Sequence, residues 1–86
     1  ARLREHPWIM QCAVVGLDDV QWGQLVCAAI ELQAGCDLGL RELRVWGKER
    51  LAPYKVPSRL KVVQSLPRNA MGKVVKPEVL ELFSDS

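Results

Sequence analysis

Two apolar runs near the start of the chain predict two buried strands. The first covers residues 10–17 (MQCAVVGL) and the second covers residues 24–32 (QLVCAAIEL), where apolar residues are nearly continuous. Short runs of this kind are typical of strands that are covered on both faces, so we expect the second to be a central strand. The residues between them, 18–23, are predicted to form a loop that projects Trp22.

The hydrophobic period then changes to that of a helix, over residues 40–51. Glu42 follows Gly39 by three residues, which is the spacing of a capping box at the start of a helix. Pro53 is expected to end the helix. The predicted buried face of this helix consists of Leu40, Leu43, Trp46, Gly47 and Leu51.

Alternation of apolar and polar residues over positions 59–63 predicts a half-buried strand. Leu60 and Val62 are expected to face the core, while Arg59 and Lys61 face solvent.

A last helix is predicted around Pro77, because proline suits the first turn of a helix. Its apolar side is expected to hold Val79, Leu80 and Phe83. The order strand, strand, helix, strand, helix predicts an α+β fold, with a small three-stranded sheet and helices packed on it.

Composition is that of one globular domain. The 86 residues are 49% hydrophobic and 26% charged, and no apolar run is long enough to cross a bilayer. No leader or transit peptide is evident, and residues 1–6 are expected to be the tail of a preceding helix. The three cysteines lack a C-x-x-C spacing, so we expect reduced, structural thiols and a reducing compartment.

Charge is distributed unevenly along the chain. Residues 41–76 hold ten lysines and arginines against two acids, a net charge of +8, whereas the whole chain carries only +2. A basic segment of this kind favours an anionic partner, and a nucleotide, coenzyme A and nucleic acid all qualify.

The candidate chemistry centres on residues 67–73 (PRNAMGK), a loop that ends in Lys73. Gly72 allows the backbone to turn, so one long cationic side chain can reach an anion bound outside the domain. A phosphate-binding P-loop is excluded, because its pattern requires a glycine where Pro67 stands and a serine or threonine where Val74 stands.

These residues resemble the C-terminal domain of the adenylate-forming enzymes, which include acyl-CoA synthetases, luciferases and the adenylation domains of peptide synthetases. Residues 51–80 (LAPYKVPSRLKVVQSLPRNAMGKVVKPEVL) are similar to the family pattern Y-K-x-P followed by L-P-(R/K)-x-x-x-G-K. Residues 6–32 (HPWIMQCAVVGLDDVQWGQLVCAAIEL) are similar to its H-P-x-V-x-x-A-V-V-G-x-x-D…G…V-x-A stretch. Malonyl-CoA and methylmalonyl-CoA synthetases look most similar.

The resemblance implies that residues 1–86 are a single C-terminal domain, with the large N-terminal domain and the hinge outside this chain. In the family, a carboxylate attacks Mg-ATP to give acyl-AMP and pyrophosphate, and the thiol of coenzyme A then displaces AMP. The lysine corresponding to Lys73 is catalytic in the first step. No metal site is expected here, because magnesium would be held by ATP and the N-terminal domain, and the isolated domain is expected to be inactive.

The resemblance also implies a coenzyme A surface. Lys48 matches a basic residue that contacts a coenzyme A phosphate in relatives, and residues 56–58 match a segment that lines the coenzyme A entrance. Trp22 stands where relatives often carry a contacting arginine. The expected cofactor-binding residues are thus Lys48, Trp22, Val56, Pro57, Ser58 and Gly72.

Two alternatives remain open. The first is a peptide-synthetase adenylation module or a luciferase-like enzyme, in which a carrier protein supplies the thiol or the adenylate is oxidised. The second is a small basic nucleic-acid-binding domain with Trp22, Trp46 and Tyr54 as stacking groups, although Trp46 falls on the buried face of its helix.

The leading interpretation expects the N-terminal domain, the acid, ATP and coenzyme A as partners, and neither nucleic acid nor a membrane span. It places the parent enzyme in the cytoplasm or the mitochondrial matrix.

Overall fold

The computed structural model describes residues 3–21 and 23–84. Its elements, in chain order, are a 3₁₀ turn (Leu3–Glu5), strand β1 (Ile9–Asp19), strand β2 (Gly23–Leu32), helix α1 (Leu40–Lys48), a second 3₁₀ turn (Pro53–Lys55), strand β3 (Arg59–Val62) and helix α2 (Lys76–Ser84). The predicted α+β fold and its order of strands and helices are confirmed.

Strand β2 is the centre of a three-stranded sheet in the order β1-β2-β3. It pairs with β1 as an antiparallel hairpin and with β3 in parallel, from Cys27 opposite Arg59 to Ile30 opposite Val62. Parallel strands need a crossover connection, and the segment that contains α1 provides it. The four residues 27–30 are each 0% exposed, which confirms the central strand predicted from the apolar run.

The sheet separates two hydrophobic cores, because successive residues of β2 point to opposite faces. Ala28 and Ile30 face α1, whereas Cys27 and Ala29 face α2. The α1-side core consists of Leu3, Ile9, Ala28, Ile30, Leu38 and Leu43. The α2-side core consists of Ala13, Cys27, Ala29, Leu66, Val79 and Phe83.

The connection between β1 and β2 is tighter than the sequence predicts. Asp18 pairs with Gln24 and Asp19 with Gly23, so the loop predicted over residues 18–23 is wrong at both ends. Strand pairing uses backbone groups, and polar residues can therefore extend a hairpin beyond its buried part. Trp22, predicted to project from this connection, lies outside the described residues.

Helix α1 begins as predicted but ends earlier. The Gly39 N–H donates to the Glu42 carboxylate at 3.2 Å, as in half of a capping box. The helix stops at Lys48 rather than continuing to residue 51, and the N–H groups of Arg50 and Leu51 both donate to the carbonyl oxygen of Gly47. These two bonds span three and four residues, as in the last turn of a helix, and Pro53 in the segment that follows prevents the helix from continuing.

The third strand and the last helix are present with smaller differences. Leu60 packs on the α1-side core, but Val62 is 48% exposed, so its predicted burial is wrong. The short strand β3 lies at the edge of the sheet, where its last residue has a neighbouring strand on one side only. In α2, Val79 and Phe83 are buried and Leu80 is half-buried, close to the predicted apolar side.

Candidate functional site

Lys73 lies in a hairpin-like loop that connects β3 to α2. Arg68 and Val74 form an antiparallel bridge across the base of this loop. The Asn69 N–H donates to the Lys73 carbonyl oxygen at 2.9 Å, and the Gly72 N–H donates to the Asn69 carbonyl oxygen at 2.9 Å. Residues 68–74, named here the lysine loop, are therefore an ordered turn held by backbone hydrogen bonds.

The Asn69 side chain closes the lysine loop from inside. Its Oδ1 accepts hydrogen bonds from the N–H of Met71 at 2.9 Å and of Lys73 at 3.1 Å. Gly72 has a φ of +80°, the left-handed region that glycine adopts without penalty, so the turn predicted there is present. The Lys73 side chain is exposed, and its ammonium has no hydrogen-bond or ion-pair partner within residues 3–21 and 23–84.

A buried acid that sequence analysis did not single out lies beneath the lysine loop. Glu31, near the end of β2, is only 7% exposed. Its Oε2 accepts hydrogen bonds from the Leu66 N–H at 2.7 Å and from the Arg68 guanidinium at 3.4 Å. The signal in the sequence was a single carboxylate inside an otherwise apolar run, since an acid in a central strand needs a hydrogen-bonding partner.

The proposed coenzyme A residues differ in exposure. Lys48 is exposed at the last position of α1, and Ser58 is exposed just before β3. Val56 is 7% exposed and Pro57 is fully buried, with its carbonyl oxygen accepting a 2.7 Å hydrogen bond from Arg44. From residues 56–58, only the Ser58 side chain is therefore placed to contact a ligand.

The structure does not bring Lys48 and Lys73 together. Helix α1 packs on the α1-side core. The lysine loop follows Leu66, which belongs to the α2-side core, and ends in Val74, which packs against that core. The two lysines are thus carried by elements that cover opposite faces of the sheet.

The lone histidine is part of the packing. The Trp8 N–H donates to His6 Nδ1 at 3.1 Å, and the ring of His6 lies 5.1 Å from that of Trp46. Burial, with a smaller contribution from the positive charge of Arg50, lowers the pKa of His6. Trp46 itself packs against the α1-side core and is covered by Arg50 at 4.8 Å, so it is poorly placed to stack on a nucleic-acid base.

Thiol and metal chemistry find little support in the described residues. Cys12, Cys27 and Cys36 are free, and burial raises the pKa of the Cys12 and Cys27 thiols. A raised pKa keeps a thiol protonated and unreactive. Over the described ranges, histidine, cysteine and acidic side chains do not gather in threes that could hold a metal ion. Nor is any helix of that part of the chain long and apolar enough to cross a membrane.

Comparison with known proteins shows one family along most of the chain. Residues 1–73 match the AMP-binding enzyme C-terminal domain. The mitochondrial malonate–CoA ligase of Homo sapiens is 45% identical over 84 residues, which cover 98% of this chain and 15% of that protein. The malonate–CoA ligase of Arabidopsis thaliana is 44% identical over 87 residues, covering 90% of this chain and 14% of that protein.

A solved structure agrees in fold. The amide bond synthetase from Marinactinospora thermotolerans superposes with a TM-score of 0.89 at 37% identity, over 96% of this chain and 17% of that one. The chain thus spans less than one-fifth of the length of the proteins that it matches.

Proposed function

Because this chain belongs to the AMP-binding enzyme C-terminal domain family, we propose that it is the C-terminal domain of an ATP-dependent acyl-CoA ligase. In the proposed reaction the parent enzyme activates a carboxylic acid as acyl-AMP, releases pyrophosphate and transfers the acyl group to the thiol of coenzyme A. The observation that carries the proposal is the exposed Lys73 on an ordered loop, with no partner for its ammonium in the described part of the chain.

Lys73 is the proposed catalytic residue for adenylation. Negative charge builds up on the phosphoryl oxygens as the carboxylate attacks the α-phosphorus of ATP, and a cation placed there stabilises the transition state. An ammonium on a flexible stem is a compact charge that can reach into a cleft of another domain. The remainder of the active site, including the groups that hold ATP and its magnesium, is proposed to lie in the N-terminal domain.

Coenzyme A is the proposed ligand of a second surface. Lys48 supplies a positive charge for a phosphate, and Ser58 supplies an exposed hydroxyl next to β3. Val56 and Pro57 are buried, so their proposed part is limited to backbone and shape, and Trp22 completes the proposed set. Gly72 contributes by shaping the lysine loop.

The placement of Lys48 and Lys73 on elements of opposite faces supports a rotating domain. If one cleft of the N-terminal domain serves both steps, the C-terminal domain presents the lysine loop during adenylation and the α1 side during thioester formation. Domain rearrangements of this kind commonly separate two half-reactions.

Malonate is the proposed first acid to assay, because two relatives at 45% and 44% identity are malonate–CoA ligases. The mitochondrial name of the human relative supports an intracellular parent enzyme. A second candidate has an amine as acyl acceptor, which the 37% identity to an amide bond synthetase favours. Lys73 would have the same role in both, and only the acceptor would differ.

The test is Lys73→Ala in the full-length parent, with the two half-reactions measured separately. Pyrophosphate release should fall about 100- to 1,000-fold, the scale of removing one transition-state donor. Thioester formation from supplied acyl-adenylate and coenzyme A should persist. Lys76→Ala removes another exposed lysine three residues away and is the matched control. Wild-type pyrophosphate release by Lys73→Ala would remove the proposed role.

Lys48→Ala should impair the second half-reaction, thioester formation, and leave the first, adenylation, intact. We expect the KM for coenzyme A to rise roughly two- to fivefold, as for loss of one exposed charge contact, with adenylation unchanged. Arg41→Ala, on the same helix, is the control. Supplying an amine instead of coenzyme A distinguishes the second candidate, because only an amide-forming enzyme yields product with it.

A further inference from the structure

The Lys73 backbone is held on both sides of one peptide unit. The Lys73 N–H donates to Asn69 Oδ1 at 3.1 Å. The Gly72 carbonyl, which belongs to the same planar peptide, accepts a hydrogen bond from Arg68 Nη1 at 3.2 Å. Fixing both groups fixes the rotation of this peptide, and therefore the direction in which the Lys73 side chain leaves the loop.

Arg68 is itself anchored to the sheet. While its Nη1 holds the Gly72 carbonyl, its Nη2 lies 3.4 Å from Glu31 Oε2. A guanidinium is a planar fork whose nitrogens point in fixed directions, so it can bind two acceptors at once. Lysine, which the family pattern also allows at this position, would offer a single point charge and could not hold both groups in the same way.

Glu31 is a rigid anchor because it belongs to the central strand. It is 7% exposed, pairs with Gln11 of β1 through the backbone, and accepts a 2.7 Å hydrogen bond from the Leu66 N–H. A buried carboxylate is costly unless it is hydrogen-bonded, so its contacts to residues 66 and 68 hold the segment before the lysine loop against β2.

We propose that Glu31 and Arg68 are positioning residues for Lys73. The buried carboxylate orients the guanidinium, and the guanidinium holds the Gly72–Lys73 peptide in the orientation used for adenylation. This inference rests on the proposed catalytic role of Lys73. It requires that a change at either residue slow adenylation selectively, and not lower thermal stability and both half-reactions together.

The test uses the full-length parent with Arg68→Lys, Glu31→Gln and the double variant. Glutamine keeps an oxygen acceptor for the Leu66 N–H but removes the charge that anchors the guanidinium. Two readouts are needed: hydrogen–deuterium exchange of a peptide that contains residues 67–75, and the rates of the two half-reactions. Arg41→Lys and Glu81→Gln, at exposed positions on the helices, are the matched controls.

We expect amide exchange in the lysine loop to rise about tenfold or more in each single variant, the scale of a lost charge-assisted hydrogen bond. Pyrophosphate release should fall roughly 10- to 100-fold, because small errors in the placement of a catalytic group are costly. Thioester formation from supplied acyl-adenylate should stay at the wild-type rate. The double variant should be no slower than Arg68→Lys alone, since both changes break the same connection.

Wild-type exchange and wild-type pyrophosphate release in Arg68→Lys would overturn the inference. So would a Glu31→Gln enzyme that loses thermal stability and both half-reactions together while Arg68→Lys is normal, because Glu31 would then serve only the fold. Lys73→Ala, assayed in parallel, separates this result from failure of the proposed function. If that variant adenylates normally, the catalytic role falls, and the exchange measurement still decides whether Arg68 holds the loop.

Discussion

Replacing Gly72 with alanine should cost stability and adenylation, whereas the same change at Gly35 should cost stability alone. Both glycines have a φ of +80°, and a Cβ atom built on either would meet nothing within 4 Å. Steric clash is thus absent at both positions, and the penalty reduces to holding an alanine in the left-handed region. That penalty is about 1–2 kcal/mol per residue.

The two variants should therefore lose similar free energy of unfolding in the 86-residue chain. For a domain of this size, each 1 kcal/mol corresponds to a fall of about 4–8 °C in Tm. Gly35 lies in the turn after β2, where the Cys36 N–H donates to the Gln33 carbonyl oxygen, away from the lysine loop. Gly72 instead supplies the carbonyl that Arg68 binds.

Adenylation distinguishes the two positions. Alanine relieves its strain by rotating the backbone, and at Gly72 this rotation moves the peptide that carries the Lys73 N–H. In the full-length parent, Gly72→Ala should lower the rate of pyrophosphate release by roughly tenfold or more, and Gly35→Ala should leave it unchanged. The reasoning is refuted if Gly72→Ala is as active as Gly35→Ala at equal loss of stability, or if either change raises the Tm.

Three further predictions concern the cores and the buried titratable groups. Phe83→Ala should lower the free energy of unfolding by about 3–5 kcal/mol in urea denaturation, because Phe83 is 6% exposed in the α2-side core, and a loss under 1 kcal/mol would contradict that packing. The folded pKa of His6 lies below its ordinary value of 6.5, so the neutral imidazole contributes its full stabilisation above pH 6.5, and this contribution is lost as the pH falls through the folded pKa. In a series of Tm measurements against pH, His6→Gln should therefore show a weaker pH dependence than the unchanged chain. Cys27, which is 0% exposed and has a raised pKa, should react with a thiol reagent only as fast as the chain unfolds, whereas the partly exposed Cys36 should react in the native state.

The elements were predictable from the sequence because their hydrophobic patterns are local. The continuous apolar run of β2 and the helical spacing of Leu43 and Gly47 both reflect burial in the structure. Ends of elements were less predictable, because they depend on groups outside the pattern. Backbone pairing extends β1 to Asp19, and α1 ends at Lys48, where two later N–H groups share the Gly47 carbonyl oxygen.

The candidate site also has a part that was predictable from the sequence and a part that was not. Lys73 and the turn at Gly72 follow from neighbouring residues and from the family resemblance. The contact between Glu31 and Arg68 joins residues 37 positions apart. It can form because β3 runs parallel to β2 and ends opposite Ile30, so the segment after β3 begins beside Glu31. The sequence also did not show which residues of the proposed coenzyme A surface are exposed, because Val56 and Pro57 are buried by contacts with residues distant in the chain, such as the hydrogen bond from Arg44 to the Pro57 carbonyl oxygen.

The separation of the two cores by one sheet has a consequence for how this domain tolerates change. Substitutions in the α1-side core and in the α2-side core share few contacts, so their effects on stability should add rather than couple. Residues can then vary on the α1 side without requiring compensation near the lysine loop, and the converse also holds. Strand β2 is the exception: Cys27, Ala28, Ala29 and Ile30 alternate between the two cores, so a change of register there would disturb both at once.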